Sequence, residues 1–241
     1  MMKLNNLLFK TNPVVVHCGG PLYPIHEHHW RPIKEAFFAA PPRKIGPIPD
    51  LTIITFNNGH NSLGVLEESL NRLGLSYLVL GREVEVWNNA VHKPRLTWQA
   101  AEQIETEFIL GLDSRDAILL DDPRIIIERF RLQFDCQLLI GADRFSYPPL
   151  KAFKEFEDSI PEAAGSDFHY MVAGTWFGRT EFIRNFFAEA VRTEPLPEAP
   201  RSEQGVLRSL FPKYYPAVGL DYCSVIFQNV GFLSDPILEI S

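Results

Sequence analysis

From residue 51 onward, short β-branched apolar runs alternate with amphipathic segments of helical spacing. Residues 51–56 (LTIITF) form an apolar run between polar neighbours and predict a buried strand. The next segment has leucines at 63, 66, 70 and 73, a cap at Ser62 and an end at Gly74, and predicts a helix. Residues 77–80 predict a second strand. A strand, a helix and a strand joined by short connections indicate two parallel neighbouring strands.

The same alternation continues to the end of the chain. It predicts helices at 98–106, 125–134, 180–191 and 202–210, and strands at 108–112, 138–142 and 222–230. The pattern is typical of an α/β fold with a mostly parallel central sheet flanked by helices.

The first 50 residues have a different composition. Their high proline content disfavours long helices, and the pattern predicts one short helix at 33–40. We therefore expect residues 1–50 to be a proline-rich amino-terminal extension that packs on a main domain of residues 51–241.

Composition narrows the classes of function. The chain has 241 residues, 46% of them hydrophobic, and a formal net charge of -7. This content indicates a globular core, and scattered basic residues on an acidic chain argue against nucleic acid as a partner. No apolar run approaches the roughly 20 residues of a membrane span. Three widely separated cysteines indicate no disulfide framework, so we expect a cytoplasmic protein.

The strongest candidate for chemistry is the segment 113–116 (DSRD), which directly follows the strand at 108–112. Ligands of such sheets bind beyond the carboxyl ends of the strands. If the chain turns there, Asp113 and Asp116 can offer oxygen ligands to Mg²⁺ or Mn²⁺. The alternative is that Asp113 only caps the turn while Asp116 pairs with Arg115 or another base.

Around these residues the chain resembles the glycosyltransferase domain of the procollagen lysyl hydroxylases and the related procollagen galactosyltransferase-like proteins. The similar segments follow one another in the family's order: 112–119 (LDSRDAIL), 139–143 (LIGAD) with 147–148 (YP), 170–178 (YMVAGTWFG), 202–204 (SEQ), 220–221 (LD) and 226–229 (IFQN). Together they cover roughly residues 51–231.

The resemblance implies a GT-A-like nucleotide-sugar-binding fold and a metal-dependent glycosyltransferase. Its donor would be a nucleotide-diphosphate sugar, a UDP-sugar, and its acceptor an unknown hydroxyl of a glycan, a protein or a small molecule. Mn²⁺ (or Mg²⁺) would be the cofactor. The implied residues are Asp113, Asp116 and Glu203 for catalysis, Phe56, Asn57, Lys93 and Ser114 for the nucleotide, and Asp143, Gly174 and Gln204 for the donor or acceptor sugar. Lys93 has an alternative interpretation as a solvated loop lysine beside Pro94.

The resemblance also implies a third metal ligand. The family supplies it from a His-x-Asn-Gly element near the carboxyl end of the domain, whereas this chain has no histidine after His169. The segment 12–20 (NPVVVHCGG) resembles that element, with Gly19 in place of Asn. One hypothesis is that the amino-terminal arm folds back and lends His17 to the metal, as in a circular permutation. The other is that the chain begins with the tail of a similar upstream unit and His17 lies elsewhere.

Three positions depart from the family. Ser202 precedes Glu203 where the family has two adjacent acids, and Val172 and Ala173 replace Asn and Ser. Either the donor or the acceptor differs from those of the collagen-modifying relatives, or the chain is a catalytically inactive GT-A-like module that binds a sugar or a protein. A nucleotidyltransferase ranks third, because it normally carries a glycine-rich, basic loop after the first strand, and residues 57–61 (NNGHN) contain no Lys or Arg.

Two further histidine motifs have alternative interpretations. The run 26–29 (HEHH) contains residue types that bind Zn²⁺, but adjacent side chains rarely converge on one ion, and a solvated loop is the favoured interpretation. His60 follows the first predicted strand and so lies at the ligand end of the sheet, where it could contact the nucleotide. Turn-forming hydrogen bonds account equally well for its Asn and Gly neighbours.

Overall fold

The computed structural model describes residues 2–19, 27–59 and 63–241. In chain order its strands are β1 (Leu4–Asn6), β2 (Val15–His17), β3 (Leu51–Phe56), β4 (Leu78–Leu80), β5 (Phe108–Asp113), β6 (Ala117–Leu119), β7 (Leu138–Asp143), β8 (Tyr170–Arg179), β9 (Val218–Asp221), β10 (Phe227–Asn229) and β11 (Leu238–Ile240). Its α-helices are α1 (Glu27–Ala39), α2 (Val65–Leu73), α3 (Asn89–Ala101), α4 (Arg124–Gln133), α5 (Lys151–Asp158), α6 (Thr180–Ala190) and α7 (Glu203–Tyr214), and a 3-10 turn spans Pro161–Ala163.

The central sheet has six strands in the order β4-β3-β5-β8-β7-β9. The pairs β4–β3, β3–β5 and β7–β9 are parallel, whereas β8 runs antiparallel to both of its neighbours. All six residues of β7 are buried, which is typical of strands covered by helices on both faces. The predicted α/β fold, with a mostly parallel central sheet flanked by helices, is confirmed.

The amino-terminal segment contributes to two smaller sheets. Strand β2 is the middle strand of the order β10-β2-β6, parallel to β10 and antiparallel to β6. Strand β1 pairs with β11, close to the end of the chain. The valines at 14, 15 and 16 are almost fully buried, so apolar packing as well as ladder hydrogen bonds holds β2 in place.

One helix prediction is wrong in a way that matters for the site. The segment predicted as a helix at 98–106 is helical from Asn89 to Ala101 instead, with Pro94 in its interior. Asn88 caps this helix by accepting a hydrogen bond of 2.9 Å from the backbone N–H of Ala90. Pro94 costs a backbone hydrogen bond, but the packing of α3 against α6 and α7 outweighs that loss. Lys93 therefore lies on a helix.

Other boundaries also differ from the predictions. The strand predicted at 222–230 is interrupted, because the Asp221 carboxylate accepts hydrogen bonds of 2.7 to 2.8 Å from the N–H groups of residues 225–227 and holds a turn there. The short helix predicted at 33–40 begins at Glu27. Helix α2 begins at Val65 with Gly64 at its N-cap, and Ser62 lies outside the described residues. Among the helices that the structure describes, none is both long and apolar enough to span a bilayer.

Candidate functional site

Strand pairing brings His17, Asp113 and Asp116 together. Asp113 is the last residue of β5, and Asp116 directly precedes β6. In the antiparallel pair of β2 with β6, His17 lies opposite Ala117, so it is next to Asp116. Each of the three side chains offers a ligand atom, and these atoms all lie within 4.8 Å of one another. Among the described residues, these three form the one group of histidine, cysteine or carboxylate side chains whose ligand atoms are close enough together to hold a metal ion.

Hydrogen bonding sets the tautomer of His17. Its Nδ1 lies 2.7 Å from Oδ1 of Asn229. The amide of Asn229 is oriented by its own donation of 3.1 Å to the Ala142 carbonyl, which can only accept. The Nδ1 of His17 must therefore carry the proton, and in the neutral ring Nε2 carries a lone pair. This Nε2 is buried without a hydrogen-bond partner among the described atoms, 3.7 Å from Oδ1 of Asp116. A ring held through one nitrogen with the other free is the usual state of a metal-binding histidine.

Two glycines make room for the histidine. In the antiparallel pairing of β5 with β8, Leu112 lies opposite Thr175, which places Gly174 beside Asp113. A Cβ atom at Gly174 would lie 2.3 Å from Nε2 of His17 and 3.1 Å from Oδ2 of Asp113. A Cβ atom at Gly19 would lie 2.5 Å from the Cε1 atom of the same ring. The absence of a side chain at Gly174 thus lets His17 and Asp113 approach each other.

Lys93 lies between two carboxylates at the edge of this cluster. Its Nζ is 2.5 Å from Oδ1 of Asp113 and 3.0 Å from Oε2 of Glu203. Burial alone would lower the pKa of Lys93, but the charges of Asp113 and Glu203 outweigh burial and raise that pKa above its usual value. Burial raises the pKa of Glu203 to about 7, with Lys93 opposing the shift and Asp113 adding to it. Lys93 is therefore charged, and Glu203 titrates near neutrality.

Two other carboxyls of this region, Asp116 and Asp143, also have raised pKa values. Burial raises the pKa of Asp116, the neighbouring charge of Asp113 adds to the shift, and His17 opposes it. Asp143 ends β7, and burial raises its pKa against the hydrogen bonds that it accepts from the N–H groups of Phe145 and Arg144. Carboxyls that burial makes costly to ionise are stabilised in their charged form by a nearby cation.

A cleft of about 180 Å³ opens beside the aspartates. Its lining consists of Phe56, Asn57, Asn58, Trp87, Asn89, Lys93, Asp113, Ser114, Arg115 and Asp116. The four residues that were expected to bind a nucleotide are therefore neighbours of the aspartates in one cleft. Trp87 was missed by the sequence analysis, although an aromatic residue in the polar stretch before α3 was a usable signal. Its ring stacks on His92 with centroids 5.5 Å apart.

Asn57 and Ser114 line the cleft but direct polar groups into the protein. The Asn57 amide donates to Oε1 of Glu67 at 2.7 Å, and the Ser114 hydroxyl donates to the same oxygen at 2.8 Å. Glu67 is 1% exposed on α2. Sequence reasoning missed it because an acidic residue in the first turn of a helix normally faces solvent. Glu67 ties β3, the turn after β5 and α2 together, and so fixes the shape of this side of the cleft.

Gln204 and Glu203 are not among the residues that line the cleft. The Gln204 amide accepts a bond of 3.1 Å from the Ala173 N–H and donates one of 2.6 Å to the Tyr147 carbonyl, so both of its ends are engaged by backbone. Glu203, the first residue of α7, is 3% exposed and contacts Lys93 from inside the protein. Glu203 therefore lies below the cleft surface, whereas Gln204 is half-buried with both ends of its amide engaged by backbone groups.

Two histidine motifs of the sequence fall partly or wholly beyond the described residues. His60 lies outside them, as does His26 of the 26–29 run. His29 is described, and its Nε2 contacts the Asp235 carbonyl at 2.8 Å. The described part of this run thus makes no group of three metal-binding side chains.

Comparison with known proteins gives only distant matches. No family model matches the chain, and no curated protein matches it, so the specific collagen-modifying family that its motifs resemble is not supported. Among solved structures, the chain is similar to glucosyl-3-phosphoglycerate synthase from Mycobacterium tuberculosis in complex with uridine diphosphate, with 16% identity, 90% of this chain and 79% of that chain covered, and a TM-score of 0.43. A complex of the same enzyme with Mn²⁺, UDP-glucose and glycerol 3-phosphate matches with 14% identity, 89% and 78% coverage, and a TM-score of 0.38. A likeness this distant says nothing of the chemistry of this chain.

Proposed function

We propose that this protein is a metal-dependent glycosyltransferase of GT-A type, which transfers a sugar from a UDP-sugar to a hydroxyl acceptor. The observation that carries the proposal is the convergence of His17, Asp113 and Asp116 on one point, with the Nε2 lone pair of His17 unused, at the edge of a polar cleft.

The residues present suit a divalent cation. One imidazole nitrogen and two carboxylates are ligands that Mn²⁺ accepts, and Mg²⁺ accepts the oxygens. With Asp113, Asp116 and Glu203 ionised, three carboxylates lie in this region against two basic side chains, Lys93 and Arg115, which leaves an excess of one negative charge. A bound Mn²⁺ ion would act as a Lewis acid that neutralises charge on the departing nucleotide diphosphate.

The other cleft residues have roles that follow from their positions. The Lys93 ammonium lies at the cleft beside Asp113, where it can donate to a phosphate oxygen and hold the diphosphate. Phe56 and Trp87 supply aromatic surface at which a nucleobase can pack. Glu67 keeps Asn57 and Ser114 in place, so the cleft is formed before a ligand enters.

The proposal is tested by measuring release of UDP from a panel of UDP-sugars in the presence of Mn²⁺. We expect release with at least one donor and its loss in Asp113→Asn, which keeps the side-chain volume but removes the charge. Asp122→Asn is a matched control, since Asp122 pairs with Arg124 and is not among the residues that line the cleft. Equal release by wild type and Asp113→Asn would contradict the proposal.

The alternative function is a catalytically inactive GT-A-like module that binds a sugar or a protein. One observation favours it: Glu203 is buried against Lys93, and both ends of the Gln204 amide are engaged by backbone groups, so both side chains already have partners other than an acceptor hydroxyl. Mn²⁺-dependent binding of UDP by wild type, without UDP release from any donor in the panel, would support the module over the enzyme.

A further inference from the structure

Lys93 shares its ammonium between two carboxylates that belong to different elements. Asp113 ends β5, and Glu203 begins α7. An ammonium has three N–H donors. One is directed to Asp113 and one to Glu203, and the ammonium also lies 5.3 Å from the centroid of the Phe56 ring, which lines the same cleft.

The two oxygens of Asp113 face different partners. Oδ1 contacts Lys93, while Oδ2 lies on the side of Gly174, toward Nε2 of His17. A stronger ion pair between Lys93 and Asp113 makes the Asp113 carboxylate a weaker ligand for a cation on its other side. The reason is that the Lys93 ammonium lies next to the carboxylate in a poorly hydrated environment, where charges interact strongly.

Glu203 is not explained by stability alone. Its Oε2 contacts Lys93, but its Oε1 is buried with no hydrogen-bond partner among the described atoms. An unsatisfied buried carboxylate oxygen costs free energy of folding, and such groups in folded proteins call for a functional explanation. Glu203 does not line the cleft, and its contact with the cleft residues is made through Lys93.

We infer that Glu203 is a positioning residue for Lys93, which draws the ammonium away from exclusive pairing with Asp113 and so keeps Asp113 available to the cation. This inference rests on the proposed function, because it assumes that Asp113 is a metal ligand. It replaces the expected role of Glu203 as a group that contacts the acceptor.

The experiment is a double-mutant cycle with Mn²⁺ alone as the probe. Free Mn²⁺ is measured by electron paramagnetic resonance at pH 8 for wild type, Glu203→Gln, Lys93→Met and the double variant. We expect Glu203→Gln to bind Mn²⁺ about fivefold or more weakly than wild type, within the range of coupling between charged residues in contact. In the Lys93→Met background, the same Glu203→Gln change should alter the affinity by less than about twofold.

The outcomes separate this inference from the proposed function. If wild type binds Mn²⁺ and Glu203→Gln weakens binding equally with and without Lys93, Glu203 acts on the cation by its own charge and the inference is wrong. If Glu203→Gln binds as wild type does, the inference is also wrong. If wild type binds no Mn²⁺, the proposed function is wrong, and the inference about Glu203 is wrong as well because it assumes a metal ligand at Asp113. Circular dichroism checks the folding of each variant, and Glu203→Asp, which keeps the charge one methylene shorter, should bind with intermediate affinity.

Discussion

His17 and Asn229 are partners in neighbouring parallel strands, and the 2.7 Å contact between Nδ1 of the histidine and Oδ1 of the asparagine decides which ring nitrogen faces the aspartates. Asn229 has no place in the cleft lining, and its amide is held in turn by the Ala142 carbonyl. The orientation of a candidate metal ligand at the amino terminus thus depends on residues from the far end of the chain and from β7.

Replacing Asn229 should weaken metal binding, although Asn229 is not one of the three candidate metal ligands. In Asn229→Ala the His17 ring loses the acceptor that fixes its tautomer and orientation, and we expect Mn²⁺ affinity to fall about 10- to 100-fold. Isothermal titration with Mn²⁺ measures the change. Asn5→Ala is the control, because the Asn5 amide bonds only to polar groups near the protein surface. Wild-type affinity in Asn229→Ala would show that this hydrogen bond does not prepare His17 for a metal.

A single methyl group at Gly174 should disrupt the same site. The added Cβ would lie 2.3 Å from Nε2 of His17, so the ring must move away from Asp113. We expect Gly174→Ala to lower Mn²⁺ affinity at least tenfold, as loss of a ligand does. Gly219→Ala is a matched control in β9, since its added Cβ would meet Cys136 at an ordinary 3.4 Å. If both variants bind Mn²⁺ as wild type does, His17 and Asp113 do not share an ion.

The stability of the metal-free protein should depend on pH through Glu203. Burial raises the pKa of Glu203 to about 7 from its usual 4.5. Between these values the folded state binds more protons than the unfolded state, so the free energy of unfolding falls as pH rises. Compared with Glu203→Gln, wild type should therefore lose stability between pH 4.5 and 7 and show no further relative change above that window.

Urea unfolding of both proteins in EDTA measures this difference. The carboxyls of Asp116, Asp143 and Asp221 also have raised pKa values, but they are present in both proteins and largely cancel in the comparison. A difference in unfolding free energy that stays constant, or that grows in favour of wild type with rising pH, would show that the fold does not raise the pKa of Glu203.

Trp87 should contribute to nucleotide binding but not to metal binding. Loss of an aromatic surface on which a base stacks costs on the order of 1–3 kcal/mol. We therefore expect Trp87→Ala to weaken UDP binding in the presence of Mn²⁺ about fivefold or more, with unchanged affinity for Mn²⁺ alone. Val86→Ala tests the same segment, because Val86 is 82% exposed and does not line the cleft. If Trp87→Ala binds UDP as tightly as Val86→Ala does, the base of UDP does not pack against Trp87.

The amino-acid sequence predicts the strands whose bounds follow from a short apolar run. The bounds of β3 agree with the apolar run at 51–56, and β5 ends at Asp113, one residue beyond its predicted end. Strand β8 was not predicted as a strand, because its glycines weaken the strand signal. These glycines of β8 allow close contacts with residues distant in sequence: an added Cβ at Gly174 would clash with the His17 ring, and one at Gly178 with the Gln137 carbonyl.

The site depends still more on distant pairings. His17 reaches Asp116 only because β2 inserts between β6 and β10, and no local pattern encodes that register. The proline after Lys93 favours a loop when only local sequence is considered, whereas tertiary packing keeps Lys93 and Pro94 in α3. The contacts that engage Gln204 arise from β8 and the loop after β7, which the pattern at 202–204 does not reveal.

The most direct measurement is the anomalous scattering of Mn²⁺ in crystals soaked with MnCl₂ and UDP. The account predicts a single strong peak between Nε2 of His17 and the carboxylates of Asp113 and Asp116, at about 2.0 to 2.3 Å from each, with the diphosphate of UDP on its open side. A peak bound elsewhere, or UDP in the cleft with no peak at these three side chains, would contradict it.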